Sequence, residues 1–138
     1  MRVTTTRFGK IDLDKNMIID FPSGIPGRSR LKKYFLIDYR EIIKWLHAID
    51  DPETAFLVTN PFSFFPSYSF EISDDIEEFL GIRKPGDVAV VVLLALKAGL
   101  VTADLKEPIV INVSNKKASQ LVLKDTGYTS TTPLPFIS

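Results

Sequence analysis

The chain contains no cysteine, which excludes a disulfide framework, a thiol nucleophile and a thiolate zinc site. Nor does it carry an excess of either charge. Its 17 Lys and Arg stand against 17 Asp and Glu, a balance that argues against a broad nucleic-acid surface and against electrostatic anchoring to a membrane. Long hydrophobic runs are missing too. The longest, Val88 to Leu96, falls far short of the about 20 residues that span a bilayer. Met1 to Phe8 lacks the apolar core of an export signal. A soluble protein of the cytoplasm is the expectation. Neither Gly-x-x-x-x-Gly-Lys-Ser/Thr nor Gly-x-Gly-x-x-Gly leads from a strand into a helix, so no phosphate cradle is predicted. No metal-ligand cluster stands out, and no cofactor is expected.

What is present is mostly strand. With 138 residues the chain has the size of one typical domain with a real core, and a single domain over 1–138 is expected. Strand signals cover Arg2 to Phe8, Met17 to Phe21, Tyr34 to Asp38, Ile43 to Ile49 and Ala55 to Thr59. They continue over Val88 to Leu96, Leu100 to Ala103, Ile109 to Val113 and Leu121 to Leu123, with Gly, Pro, Asn and Lys clusters between them. Many short strands at this spacing suggest a barrel or a sandwich. One helix is predicted within Ser73 to Leu80, where Ile76, Phe79 and Leu80 fall at i, i+3, i+4. Ser73 or Asp74 is its N-cap and Gly81 its stop. The acidic residues Asp74, Asp75, Glu77 and Glu78 read as favourable charges at the start of a solvated helix. Because Val88 to Leu96 has no polar residue of either parity, both its faces should be covered, and the neighbouring helix is the expected cover. The stretch 128–138, rich in Thr, Ser and Pro, reads as an irregular tail docked through Leu134 and Phe136.

Few residues suggest chemistry. His47 shares extended parity with Ile43, Trp45 and Ile49 and reads as a packed, hydrogen-bonded core histidine. Asp50 and Asp51 precede Pro52, which is ordinary turn composition, and adjacent strand residues point to opposite faces. Phe21-Pro-Ser-Gly-Ile-Pro-Gly27 is a rigid, tightly shaped loop, its prolines fixing φ and its glycines permitting positive φ. The basic clusters Arg28/Arg30/Lys32/Lys33 and Lys116/Lys117 read as solvated loops.

The densest signal is Thr59-Asn-Pro-Phe-Ser-Phe-Phe-Pro-Ser-Tyr-Ser-Phe70. Read as extended, it puts Phe62, Phe64, Pro66, Tyr68 and Phe70 on one face and leaves Phe65 alone among Ser63, Ser67, Ser69 and Glu71. An exposed Phe65 would be an anchor for a partner. The competing arrangement is a kink at Pro66 that turns Phe65 inward. On residues alone, then, a binding module competes with a small-molecule enzyme and with a direct RNA-binding barrel. The single histidine disfavours the enzyme and the neutral charge disfavours RNA.

At Phe21-Pro-x-Gly-Ile-Pro-Gly27, at Thr59-Asn-Pro-Phe-x-Phe-Phe65 with Tyr68, and at Leu105-Lys-x-Pro-Ile-Val-Ile-Asn112, the sequence resembles the flagellar assembly factor FliW family. Trp45-Leu-His-Ala-Ile-Asp-Asp-Pro-x-x-Ala-Phe-Leu-Val58 and Ala118-x-Gln-Leu-Val-Leu123 extend the match nearly end to end. Arg28 and Asp104 depart from it, at positions where the family favours an aromatic and an asparagine. The resemblance implies a small antiparallel β-barrel-like domain, mostly β, with one short helix at about residues 74–80. It implies a non-enzymatic, monomeric cytoplasmic factor that binds flagellin. When flagellin is scarce, it binds the translational repressor CsrA, so that flagellin synthesis follows secretion. Asn60, Pro61, Phe62, Phe65 and Tyr68 are the flagellin-contact candidates, and Leu105, Lys106 and Pro108 the CsrA-contact candidates. Neither nucleic acid nor membrane is an expected direct partner.

Overall fold

Alternation along each strand sets which side chains turn inward. The computed structural model of the chain describes residues 1–135. Its strands, in order, are β1 (Arg2–Thr5), β2 (Gly9–Asp12), β3 (Ile19–Asp20), β4 (Lys33–Arg40), β5 (Ile43–Ala48) and β6 (Ala55–Thr59). After a helix, α1 (Asp74–Leu80), come β7 (Val88–Lys97), β8 (Leu100–Ala103), β9 (Ile109–Asn112), β10 (Lys117–Gln120) and β11 (Thr132–Pro133). Strands β7, β6, β5, β4, β3, β10 and β9 follow one another around a ring that the β7–β9 pairing closes. All these pairings are antiparallel except β3 with β10, which meet in parallel at Asp20 and Lys117. The fold is therefore mostly β and barrel-like, with one short helix.

Inside the ring, Ile19, Phe21, Tyr34, Leu46, Ala48, Val58, Ile109 and Ile111 form the main core. The loop after β3 contributes Phe21 and Ile25, both buried, by turning sharply at Gly24. Its φ is +70°, and a Cβ there would lie 2.6 Å from the Ser29 backbone, so only glycine fits. On the outer side of β5, His47 is fully buried, stacked on Phe35 with its Nδ1 2.7 Å from the Ala48 carbonyl oxygen. The β1–β2 hairpin closes over that side with Val3, Ile11 and Leu13.

Strand β7 is uniformly apolar because both its faces pack, though its cover differs from the expected one. Ala89, Val91 and Leu93 meet the main core. Val92 and Leu94 meet a second core made by Tyr68, Ala103, Leu105 and Leu123, with Phe65, Phe70, Tyr128 and Leu134 around it. The aromatic stretch and the chain's last described residues thus supply the cover assigned to α1. With only two turns, α1 buries Leu80 alone and leaves Phe79 exposed. It lies against β10 instead. Its Leu80 carbonyl oxygen accepts from Asn112 Nδ2 at 2.8 Å and Asn115 Nδ2 at 2.9 Å, which satisfies a helix-end acceptor from outside the helix. The caps are those expected: Ser73 Oγ accepts from the Ile76 N–H, and Gly81 is left-handed.

Several boundaries differ from expectation, and β3 is only Ile19–Asp20 because Met17 belongs to a 3-10 turn before it. The first predicted strand is a hairpin, because Thr5 Oγ1 donates to the Gly9 carbonyl and accepts from the Phe8 N–H, both at 2.8 Å, and so builds a turn. Strand β10 is the polar Lys117–Gln120, whose Ala118 is fully buried. Leu121–Leu123, predicted as the strand, follows it as irregular chain. In the tail, Thr132 and Pro133 pair with β8 and Leu134 packs on the second core. The expected docking of Phe136 lies outside the described residues.

Candidate partner-binding groove

The residues from Asn60 onward do not extend. Asn60 Oδ1 accepts from the Phe62 N–H at 2.9 Å and Pro61 starts a single 3-10 turn over Pro61–Ser63. The N–H groups of Phe64 and Phe65 then donate to the Pro61 carbonyl, and that of Tyr68 to the Phe65 carbonyl. Proline and asparagine therefore convert the run into consecutive turns, and period-2 parity no longer applies. Phe65 turns inward, half-buried against the second core. Pro61 is buried, while Asn60 is exposed. Phe62, expected on the inner face, is 41% exposed.

Tyr68 is 4% exposed, and its hydroxyl donates to the Leu105 carbonyl oxygen at 2.7 Å. Burial, reinforced by Tyr128 and Asp104, pushes its phenol well above the ordinary tyrosine range, so it stays a proton donor. Its ring lies 5.8 Å from Phe62, 5.5 Å from Phe70 and 4.7 Å from Tyr128. Tyr68 thus carries Phe62 on one side and fastens the aromatic turns to the loop at 104–108 on the other.

Beside Phe62 lies a groove of about 1000 Å³ that reaches the main-core residues Ile19, Val58 and Ile111. Its exposed apolar lining comes from Met17, Ile42, Phe62 and Val113, and charged Glu41, Lys44 and Lys116 also border it. Met17, Ile42 and Val113 were not singled out from the sequence. They come from a turn before β3, the β4–β5 turn and the end of β9, and only closure of the ring brings them together. A single apolar residue beside each of these strands is the available signal, and by itself it is ordinary.

The loop between β8 and β9 is held at both ends. Leu105 N–H donates to the Thr129 carbonyl, Leu123 N–H to that of Lys106, and Leu121 N–H to that of Pro108. Leu105 and Pro108 are buried and Lys106 is exposed, next to Val122, which is 54% exposed. Within the loop Asp104 Oδ1 accepts from the Glu107 N–H at 3.0 Å. Burial and the Asp104 carboxylate raise the Glu107 pKa. Flagellin-contact and CsrA-contact candidates thus form two regions joined through Tyr68 and Leu105.

Residues 2–134 match the family model described as FliW protein. The chain belongs to the FliW family. It is 42% identical over 132 residues to a flagellar assembly factor FliW of Syntrophus aciditrophicus, covering 93% of this chain and 84% of that one. A FliW of Moorella thermoacetica is 37% identical over 135 residues, covering 94% and 85%. The fold superposes on a crystal structure of the flagellar assembly factor FliW with a TM-score of 0.90 at 31% identity, over 96% of each chain. In this FliW chain no helix among the described residues is long and apolar enough to cross a membrane.

Asp50 and Asp51 sit in the turn after β5. Asp51 accepts from the Glu53 N–H at 3.0 Å and from Thr54 Oγ1 at 2.7 Å, bonds that hold its carboxyl below the usual range. That is turn chemistry.

Proposed function

We propose that this chain is a monomeric cytoplasmic flagellar assembly factor that holds newly made flagellin in its groove and antagonises CsrA when flagellin is scarce. Membership of the FliW family supports the general role. The observation that carries the specific reading is the groove itself, where Phe62, Met17, Ile42 and Val113 expose apolar surface along one concave wall. Flagellin's terminal segments are amphipathic helices with an apolar face to cover before assembly, and such a face fits a groove of this character.

In this reading Phe62 is the direct anchor. Asn60 and Pro61 fix the turn that presents it, and Tyr68 and Phe65 support it from beneath. On the CsrA side, Lys106 makes the contact with Val122 beside it, while Leu105 and Pro108 hold the loop's shape. No nucleic acid is bound directly. Phe62→Asp should weaken capture of purified flagellin by about thirtyfold or more while the melting temperature stays unchanged, because an anchor that becomes buried on binding contributes about 2 kcal/mol or more. Lys106→Glu in the same assays should weaken CsrA binding and leave flagellin capture intact. Undiminished flagellin binding by a folded Phe62→Asp protein would remove the groove from the account.

A further inference from the structure

A second surface lies on the outer wall of the barrel, beyond the β4–β5 turn, and it does not rest on the reading of the groove. The β4–β5 register shifts between Asp38 and Arg40, and such an irregularity re-aims a side chain. Here the Tyr39 ring lies 6.0 Å from Trp45, edge to face. From the β1–β2 turn, Phe8 approaches Trp45 at 6.5 Å and the Arg7 guanidinium lies over the Trp45 ring at 4.4 Å. The Arg40 guanidinium lies over Tyr39 at 5.2 Å. Tyr39 is 49% exposed and Phe8 38% exposed.

Tryptophan, tyrosine and arginine together are the residues that dominate binding energy at interfaces. The arginines matter most. Among the described residues the ion pairs are Arg2 with Asp12, Lys33 with Asp20 and Lys44 with Asp38, so Arg7 and Arg40 have no carboxylate of their own. A guanidinium laid on a ring is held in orientation while its N–H edge stays free for bidentate bonding to an anion.

We propose that this surface docks an acidic polypeptide segment, with carboxylates on the Arg7 and Arg40 edges and an apolar side chain against Phe8 and Tyr39. Single-stranded RNA fits less well. Bases bind such sites by stacking on open rings, whereas here guanidinium groups already lie over Trp45 and Tyr39.

Trp45 is the only tryptophan, so its emission reports on this surface directly. The test titrates the full chain at low salt with the blocked peptide Glu-Leu-Glu-Glu-Leu-Glu, with its Gln-for-Glu counterpart, and with an oligouridylate. The expected result is a saturable emission change with the acidic peptide and none with the other two. The double variant Arg7→Ala, Arg40→Ala should bind about tenfold more weakly, and Arg28→Ala, Arg30→Ala should bind as the parent does. Both pairs are exposed, so all proteins should melt together. If the acidic peptide gives no response, if the Gln peptide matches it, if the Arg7/Arg40 variant binds undiminished, or if the oligouridylate binds more tightly, the proposal is overturned.

Discussion

At Glu107, burial and the neighbouring Asp104 carboxylate both oppose ionisation and raise its pKa in the folded chain. The sign of the pH effect follows. A carboxyl with a folded pKa above its unfolded value binds more protons when folded, so its ionisation weakens the fold as pH rises through the ordinary carboxylate range up to the raised value. Glu107→Gln removes that charge and keeps the shape. The variant should melt higher than the parent near neutral pH, and the gain should shrink at about pH 4, where the parent carboxyl is largely protonated. An equal gain at both pH values would show that charge is not the cause. The same scale separates Phe62 from Phe65. Extended parity singles out Phe65 and puts Phe62 on the inner face, but the backbone decides which ring faces outward, and three hydrogen bonds to the Asn60 side chain and the Pro61 carbonyl build the turns that expose Phe62 instead.

Among the elements, those with one dominant local cause were legible in advance. Helix α1 begins and ends at the predicted caps because Ser73 and Gly81 satisfy its termini locally. Strands β6 and β8 have the predicted bounds, since β-branched and apolar residues meet turn formers at each end. The buried His47 and the tight loop at Phe21–Gly27 were also readable. Elements whose cause is tertiary were not. Strand β10 pairs because Ala118 fits the barrel interior against β9, and nothing in Lys117–Gln120 announces that. Helix α1 sits where Asn112 and Asn115 catch it, although its place just upstream of β7 pointed it toward that strand. The Met17, Ile42 and Val113 lining of the groove was invisible for the same reason, as was the Arg7–Trp45 stack, whose partners are far apart in the chain.

The loop after β3 offers an element-scale test. Gly24→Ala forces an L side chain into positive φ and onto the Ser29 backbone, which together should cost about 3 kcal/mol. That lowers the melting temperature by about 10 °C. Gly86→Ala, where a Cβ would meet nothing within 4 Å, should be nearly silent. Similar losses in the two variants would contradict the close-approach argument.

For the whole molecule, the closed ring does two things. It pairs the strand edges within it, so those strands offer no open edge to another chain. It also gathers separated apolar residues into one concave wall, with the 104–108 loop fastened to that wall through Tyr68. The groove and the loop are therefore mechanically adjacent, and under the proposed reading an occupant of one is felt at the other through Tyr68. Methyl-resolved NMR of the full chain, recorded with and without purified flagellin, reads out whether flagellin sits in the groove. The account predicts that the methyl signals of Met17, Ile42 and Val113 and the ring signals of Phe62 shift on binding, while those of Leu96 and Leu100 at the exposed β7–β8 tip stay in place. Shifts at the tip with an unchanged groove would contradict it.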